Sequence, residues 1–256
     1  MRQCKPRDAG GLALALALAI AMCAALPVAA LADEVTVRVE GEAESLLSET
    51  TVQIGDGSGT AHTWNNVGSM PHECADDTAY QAIELATEGE WDREEFLTEV
   101  LGEEHTWFPN EEYWILYYDN EYATAGVCQK QLEDGDTVLV QAGVSGPAPK
   151  FIPASVPIAI DSVEPAWGEI GLFEDVTVHL TAWIPSELGK PSDEVDAVGY
   201  TVTAGGEEAT TDADGEATLS MEKEGPIEIE ASMPGSEDNW SRAVPVTVCV
   251  EEPAPC

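Results

Sequence analysis

Residues 113–118 read YWILYY, so that an extended backbone would place Tyr113, Ile115 and Tyr117 on one face and Trp114, Leu116 and Tyr118 on the other. Neither face suits water, which predicts a central strand covered on both sides. The run ends in the turn-forming pair Asp119-Asn120. A second apolar run, residues 137–140, follows Glu133-Asp134-Gly135-Asp136, giving a hairpin in outline. Upstream, VTVRVEG (35–41) alternates Val35, Val37 and Val39 against Thr36 and Arg38, the pattern of a strand covered on one side with Thr36 and Arg38 facing water. Residues 50–54 predict another strand. Residues 60–77 have no regular period and predict a long loop carrying Trp64, Asn65 and Asn66. Helical spacing of Ala79, Ala82, Ile83 and Ala86 behind Asp76-Asp77-Thr78, with Thr78 and Gln81 at capping-box separation, predicts a helix over 78–88. Asp92 with Glu95, followed by Phe96, Leu97, Val100 and Leu101 and closed by Gly102, predicts a second over 92–101. Residues 33–145 therefore read as an α+β domain whose two helices cover one face of a small sheet.

Beyond a proline-rich joint, GPAPKFIPASVP (146–157), the period changes. Six alternating segments, 158–163, 176–182, 198–203, 217–221, 227–231 and 244–250, are separated by turn residues, and no helical period appears. That pattern predicts a β-sandwich over 158–250 and a short tail, 251–256. Thr211-Asp212-Ala213-Asp214-Gly215 fails as a calcium loop, since Gly215 in the sixth position would put Thr210 first and Met221 last, where acidic ligands are needed. A tight turn is the better reading.

The amino terminus changes the picture of where this chain works. Arg2, Lys5 and Arg7 precede a Leu/Ala-rich run that ends in Ala30-Leu31-Ala32, which predicts a signal peptide over 1–32 with cleavage before Asp33. Pro27 interrupts the run and no basic flank follows, which disfavours a membrane span; Cys23 follows Met22, which disfavours a lipoprotein. The formal charge of the whole chain is −39; removing residues 1–32 takes three of its ten basic residues and one of its 49 acidic ones, leaving −41. Such a chain lacks the clustered Lys and Arg that phosphate binding requires, which excludes nucleic acid and disfavours anionic membranes. Four cysteines survive processing. An even number outside the cytoplasm predicts disulfides, with Cys74 to Cys128 in the first domain and Cys249 to Cys256 at the tail. A metal alternative around His62 and His72-Glu73-Cys74 lacks the second nearby cysteine of a zinc pattern.

The segment EEYWILYYDNEYATAGVCQKQLEDGDTVLV resembles the signature of the transcobalamin-like C-terminal domain family, a module of secreted bacterial proteins. Tyr113-Trp114, Gly126 and Asp134-Gly135-Asp136 stand where that pattern has its aromatic strand, mid-hairpin glycine and closing turn. The opening VTVRVEG and the helix around Tyr80 fit it as well, so the likeness covers about residues 35–141. It implies a β-grasp-like α+β fold and admits cobalamin as a ligand, although Asp119-Asn120-Glu121 replaces the family's Asn-Gly. TDADG followed by Glu216-Ala217 resembles a hairpin of bacterial immunoglobulin-like surface domains. The fold expectation is thus a β-grasp-like α+β domain followed by an all-β immunoglobulin-like sandwich.

The four histidines, His62, His72, His105 and His179, are dispersed, and neither a Gly-x-Ser-x-Gly elbow nor His-Glu-x-x-His occurs, so the sequence is read as non-enzymatic. A secreted or cell-surface binding protein is the leading expectation, with a small soluble ligand or another surface protein as partner. Its site is placed in a groove between the 60–77 loop and the hairpin, with Trp114, Tyr118 and Trp64 as stacking surfaces and Asn65 and Asn66 as polar contacts. A structural or adhesive surface protein is the alternative.

Overall fold

Val35, Val37 and Val39 are fully buried, and the strand that carries them organises the first half of the chain. The computed structural model describes residues 32–55, 62–64, 72–92, 97–106, 111–144, 155–165, 170–185, 192–233 and 240–251. In chain order the first half contains β1 (Asp33–Glu40), β2 (Ser45–Ile54), β3 (His62–Trp64), β4 (His72–Cys74), α1 (Ala79–Ala86), β5 (Glu99–Val100), β6 (Glu103–Glu104), β7 (Glu112–Tyr118), β8 (Glu121–Tyr122) and β9 (Thr137–Val144). Its main sheet has the order β2-β1-β9-β7-β8. β1 runs antiparallel to β2 and parallel to β9, and β7 pairs antiparallel with β9, setting Trp114 opposite Ala142 and Tyr117 opposite Leu139.

α1 lies on one face of this sheet, burying Ala79, Tyr80, Ala82 and Ile83 against Val35, Val37, Val39, Val138, Val140, Trp114 and Tyr118. Its N-terminal amides are satisfied by tertiary structure and not by a capping side chain. Ala79 N donates to Lys130 O at 3.0 Å and Tyr80 N to Val127 O at 3.0 Å, while the Thr78 hydroxyl turns back to Ala75 O at 2.7 Å. The loop supplying those carbonyls is tied down by the Cys74–Cys128 disulfide, as the sequence predicts.

The second predicted helix, 92–101, is absent from its described residues, 92 and 97–101. Residues 93–96 lie outside the described part, and from Glu99 the chain makes the β5–β6 hairpin around Leu101 and Gly102, both at positive φ. The stripe read as helical is compatible with a strand, and long-range pairing decides between them: Leu101 N donates to Glu90 O and Asp92 N to Glu99 O, both at 2.8 Å, and Trp91 bridges Val100. Gly102, read as a helix stop, is a turn residue. Part of the predicted 60–77 loop is also strand, since β3 pairs antiparallel with β4 with His62 opposite Cys74. The described chain is mostly β-strand with one eight-residue helix, so the expectation of an α+β β-grasp-like domain is corrected. A single short helix on an otherwise β framework does not make the two-helix layer on which that expectation rested.

The second half is a two-sheet sandwich. Its strands are β10 (Ile158–Glu164), β11 (Ile170–Gly171), β12 (Asp175–Pro185), β13 (Ser192–Asp196), β14 (Thr201–Ala204), β15 (Glu207–Thr210), β16 (Glu216–Ser220), β17 (Gly225–Ser232) and β18 (Val246–Glu251). One sheet is β10-β12-β13 with β16 also on β12; the other is β11-β18-β17-β14-β15. Alternate residues Val176, Val178, Leu180 and Ala182 meet Val202, Ile227, Ile229, Val248 and Val250 in the core between them. Asp212 and Gly215 make the predicted turn: Asp212 Oδ1 accepts from Asp214 N (2.9 Å) and Glu216 N (3.1 Å), and Gly215 has φ 72°. Leu180 O sits 2.7 Å from where a Cβ on Gly215 would be, so glycine is required there. Cys249 has no disulfide partner among the described residues, and Cys256 lies outside them, as do residues 1–31. No described helix is long and apolar enough to cross a membrane.

On the outer face of the sandwich His179 bridges two strands, its Nδ1 3.3 Å from Asp161 Oδ2 and its Nε2 3.2 Å from Asp196 Oδ1. Slight burial lowers its pKa, but Asp196 and Asp161 outweigh it and hold the imidazole above the ordinary 6.5. The bridge therefore stabilises the sheet fully below about pH 6.5 and is lost as pH rises through the higher folded-state value. A histidine Cε1–H NMR titration should show His179 turning over above 6.5, and Asp196→Asn should bring that midpoint down. Replacing Cys74 and Cys128 together by serine removes a crosslink over a sequence separation of 54 residues. Urea unfolding of the full chain should register a loss of about 4 kcal/mol if the crosslink acts through chain entropy.

Candidate functional site at the junction of the two halves

Alternation puts Thr36, Arg38 and Glu40 on the face of β1 opposite the valines, and the second half lies over the end of that face. Arg38 Nε pairs with Glu40 Oε1 at 3.3 Å, and its Nη2 donates to the carbonyl of Arg242 at 3.2 Å. Ser45 donates to Glu40 Oε1 at 3.1 Å. From the other half the Arg242 guanidinium donates through Nη1 to Gly41 O at 2.7 Å and through Nη2 to Glu42 O, with Nη1 3.7 Å from Glu40 Oε2. Burial pushes the Glu40 carboxyl up from its ordinary range against the pull of Arg38, Ser45 and Arg242, and pushes the Arg38 guanidinium down. The wet face expected from Arg38 is thus a covered ion-paired one.

The chain after β1 is held from below by β6. Glu42 N donates to Glu103 Oε1 at 2.7 Å, and a Cβ on Gly41 would run into the Glu103 carboxylate. The same Oε1 lies 2.6 Å from His105 Nε2, and His105 Nδ1 lies 3.2 Å from Glu112 Oε2. The His105 ring is buried between two tryptophans, edge-on to Trp114 at a centroid distance of 5.0 Å and tilted to Trp240 at 5.3 Å. Trp240 comes from the second half but is 8% exposed within the core of the first. It is locked there by its own backbone: Trp240 N donates to Ser155 Oγ at 2.9 Å, Val156 N donates to Ser241 Oγ at 2.8 Å, and the Trp240 carbonyl accepts from Gln141 Nε2 at 3.5 Å.

The second cover of β7 is found here too. Trp114, Leu116 and Tyr118 face α1, whereas Ile115 and Tyr117 pack with Leu139, Tyr113 and Tyr122 on the opposite side. The Tyr117 hydroxyl donates to Ser155 O at 2.7 Å. At the sheet edge Ser192 N donates to Glu121 Oε2 at 2.5 Å, which adds a contact from β13. The end of the proline-rich joint, Ser155 and Val156, is buried and belongs to this packing.

Trp114 and Tyr118, expected at the floor of an open groove, are each 6% exposed core residues against α1. The physical reason is that α1 takes the face those two residues occupy. Trp64 ends β3, paired through the backbone with His72; Asn65 and Asn66 lie outside the described residues. What the junction does provide is a cleft of about 340 Å³ lined by Arg38, Glu40, Glu44, Glu49, Glu230 and Arg242, with Ser45, Ser48 and Ser232 among its walls. Sequence reasoning missed His105, Glu103, Trp240 and Arg242 as a group, because sequence separations of 100 residues and more divide them. Gly41, placed straight after an apolar strand, was the one local sign of a close approach. Comparison with known protein families, curated proteins and solved structures yields no match to this chain.

Trp114→Ala and Trp240→Ala should each destabilise the full chain by about 3–5 kcal/mol, the usual cost of emptying a core tryptophan site. The second change is the diagnostic one: its effect should appear at Tyr80 and Val138 in the first half as loss of amide protection, although Trp240 belongs to the second.

Proposed function

We propose that this chain is an exported, non-catalytic binding protein whose recognition surface is the cleft between its two halves. The observation that carries the reading is the cleft itself, walled by both halves and floored by the Arg38–Glu40–Arg242 ion cluster. Ligand sites gather at such interfaces, and about 340 Å³ is at the small end of their usual range of roughly 300–1,000 Å³. The leader-like residues 1–32, the Cys74–Cys128 disulfide and the likeness of residues 35–141 to modules of secreted proteins support export. Against catalysis stands the way the reactive groups are used. Both ring nitrogens of His105 lie against carboxylates, and the Arg242 guanidinium is committed to main-chain carbonyls.

With the arginines and Ser45 engaged, Glu44, Glu49 and Glu230 and the hydroxyls of Ser48 and Ser232 are left to meet a guest. That favours a small polar molecule bearing amino or hydroxyl groups. Cobalamin enters through the family likeness alone, and a small polar cleft does not suit a broad corrinoid plate. The interlock of Trp240 supports a second reading, in which the chain is a stiff acidic spacer of a surface assembly.

Calorimetry on the full chain with a panel of small amines and sugars tests the first reading. Ser48→Trp, on an exposed position of the cleft wall, should weaken any ligand found by about tenfold or more, equivalent to about 1.4 kcal/mol. Undiminished affinity in that variant places the site elsewhere. An absence of any heat across the panel, with retained capture of a surface protein, supports the spacer.

A further inference from the structure

His105 stands between two carboxylates and has to supply, or share, two protons to hold both. A neutral imidazole carries one N–H, and its other nitrogen is an acceptor. Nitrogen and carboxylate oxygen at 2.6 Å on one side and 3.2 Å on the other therefore require one proton more than a neutral ring and two ionised carboxylates contain. Without it, a nitrogen lone pair would face a carboxylate lone pair in a site that is 3% exposed at His105. Among the described residues no Lys or Arg lies within ion-pair distance of Glu103 or Glu112, so the ring is the counter-charge for both.

We propose that Glu103, His105 and Glu112 form a proton-operated clasp that fastens the junction. With the extra proton in place, Glu103 is held against His105 Nε2 and so keeps its second contact, the Glu42 amide. That contact fixes the Gly41–Glu42 backbone, whose two carbonyls receive the Arg242 guanidinium from the second half. Trp240, two residues before Arg242, packs against the ring at a centroid distance of 5.3 Å. Loss of the proton leaves one of the two carboxylates facing a bare nitrogen. The pair then repels, Glu103 turns toward solvent, and the Glu42 amide and the ledge beneath Arg242 are released. The charged groups nearest along the chain and its pairings are Glu104 and Glu99, opposite each other in the β5–β6 hairpin, Glu111 next to Glu112, and, reached through Gly41 and Glu42, Glu40 with Arg38 and Arg242. The clasp stands independently of what the cleft binds.

The sign follows from the proton count: the junction is tight at lower pH and loosens as pH rises through the range where imidazole titrates, between about 5 and 8. Two signals of the full chain report it. Tryptophan fluorescence should change across this range, because a protonated imidazole packed on Trp114 and Trp240 quenches both and a neutral ring quenches less. Hydrogen exchange of the Glu42 amide should accelerate beyond the ordinary base-catalysed rise, while that of Thr36, bonded to Asp136 O at 3.1 Å, should follow the ordinary rise. His105→Gln should abolish the fluorescence step and leave Glu42 unprotected throughout, and His179→Gln should leave both signals as they are. Glu112→Gln, a milder change, should keep the fold and move the step to lower pH, since one negative neighbour is gone. The proposal is overturned by a wild-type protein with no step in this range, by a step that survives His105→Gln, or by Glu112→Gln leaving the midpoint unmoved.

Discussion

A strand without a water-compatible face has to be covered twice, and much of this architecture answers that demand at β7. α1 supplies one cover over Trp114, Leu116 and Tyr118. One eight-residue helix cannot cover both sides of a sheet, so the opposite face of Ile115 and Tyr117 draws in the end of the proline-rich joint and contacts from the second half. The joint is consequently buried at Ser155 and Val156, which are fastened to the 240–241 segment by hydrogen bonds of 2.8 and 2.9 Å. Closing an apolar face on this scale is worth roughly 1.5–3 kcal/mol per large side chain, far more than the exposed salt bridges of so acidic a chain could supply.

Covering that face brings polar groups inside with it. Arg38, Glu40, Arg242, Glu103 and His105 would each be costly to bury alone; here each is matched to a carbonyl, amide or opposite charge, and the Arg38 and Arg242 contacts cross between the halves. The matching is incomplete at Trp114 Nε1, Tyr118 Oη and Gln141 Oε1, which find no hydrogen-bond partner among the described residues. Such groups cost about 1–3 kcal/mol each, so apolar packing must be strong enough to carry them. A polar interface of this kind is also selective, because a displaced partner leaves a charge uncompensated.

The same arrangement accounts for why the functional reading moves from the aromatic strand to the junction. Aromatic residues with both faces closed serve packing. The polar cleft beside Arg38 and Arg242, in contrast, is bounded by segments whose positions depend on each other through Gly41, Glu42 and Trp240. Any event that shifts the Gly41–Glu42 segment is felt at the cleft wall, since Glu40 directly precedes it and Ala43 and Glu44 directly follow it along the chain.

What the sequence determined by itself is what local periodicity and covalent bookkeeping can carry: β1 from its alternating valines, the helix near Tyr80, the doubly apolar strand β7, the sandwich pattern beyond residue 157, the Asp212–Gly215 turn and the Cys74–Cys128 pair. Its errors lie where local preference is weak and a distant partner decides. The stripe Leu97, Val100 and Leu101 suits helix or strand, and pairing of Trp91 with Val100 selects the strand. Arg38 alternates as a solvent residue, and only the arrival of Arg242 from 204 positions away makes its face an interior one. Which face of β7 meets α1 could not be read from alternation, because its two faces are equally apolar; the sheet's pairing with β9 and the side on which α1 crosses settled it. The junction itself was beyond reach for the same reason: His105, Glu103, Trp240 and Arg242 are individually ordinary, and their chemistry exists only where the two halves are folded against each other.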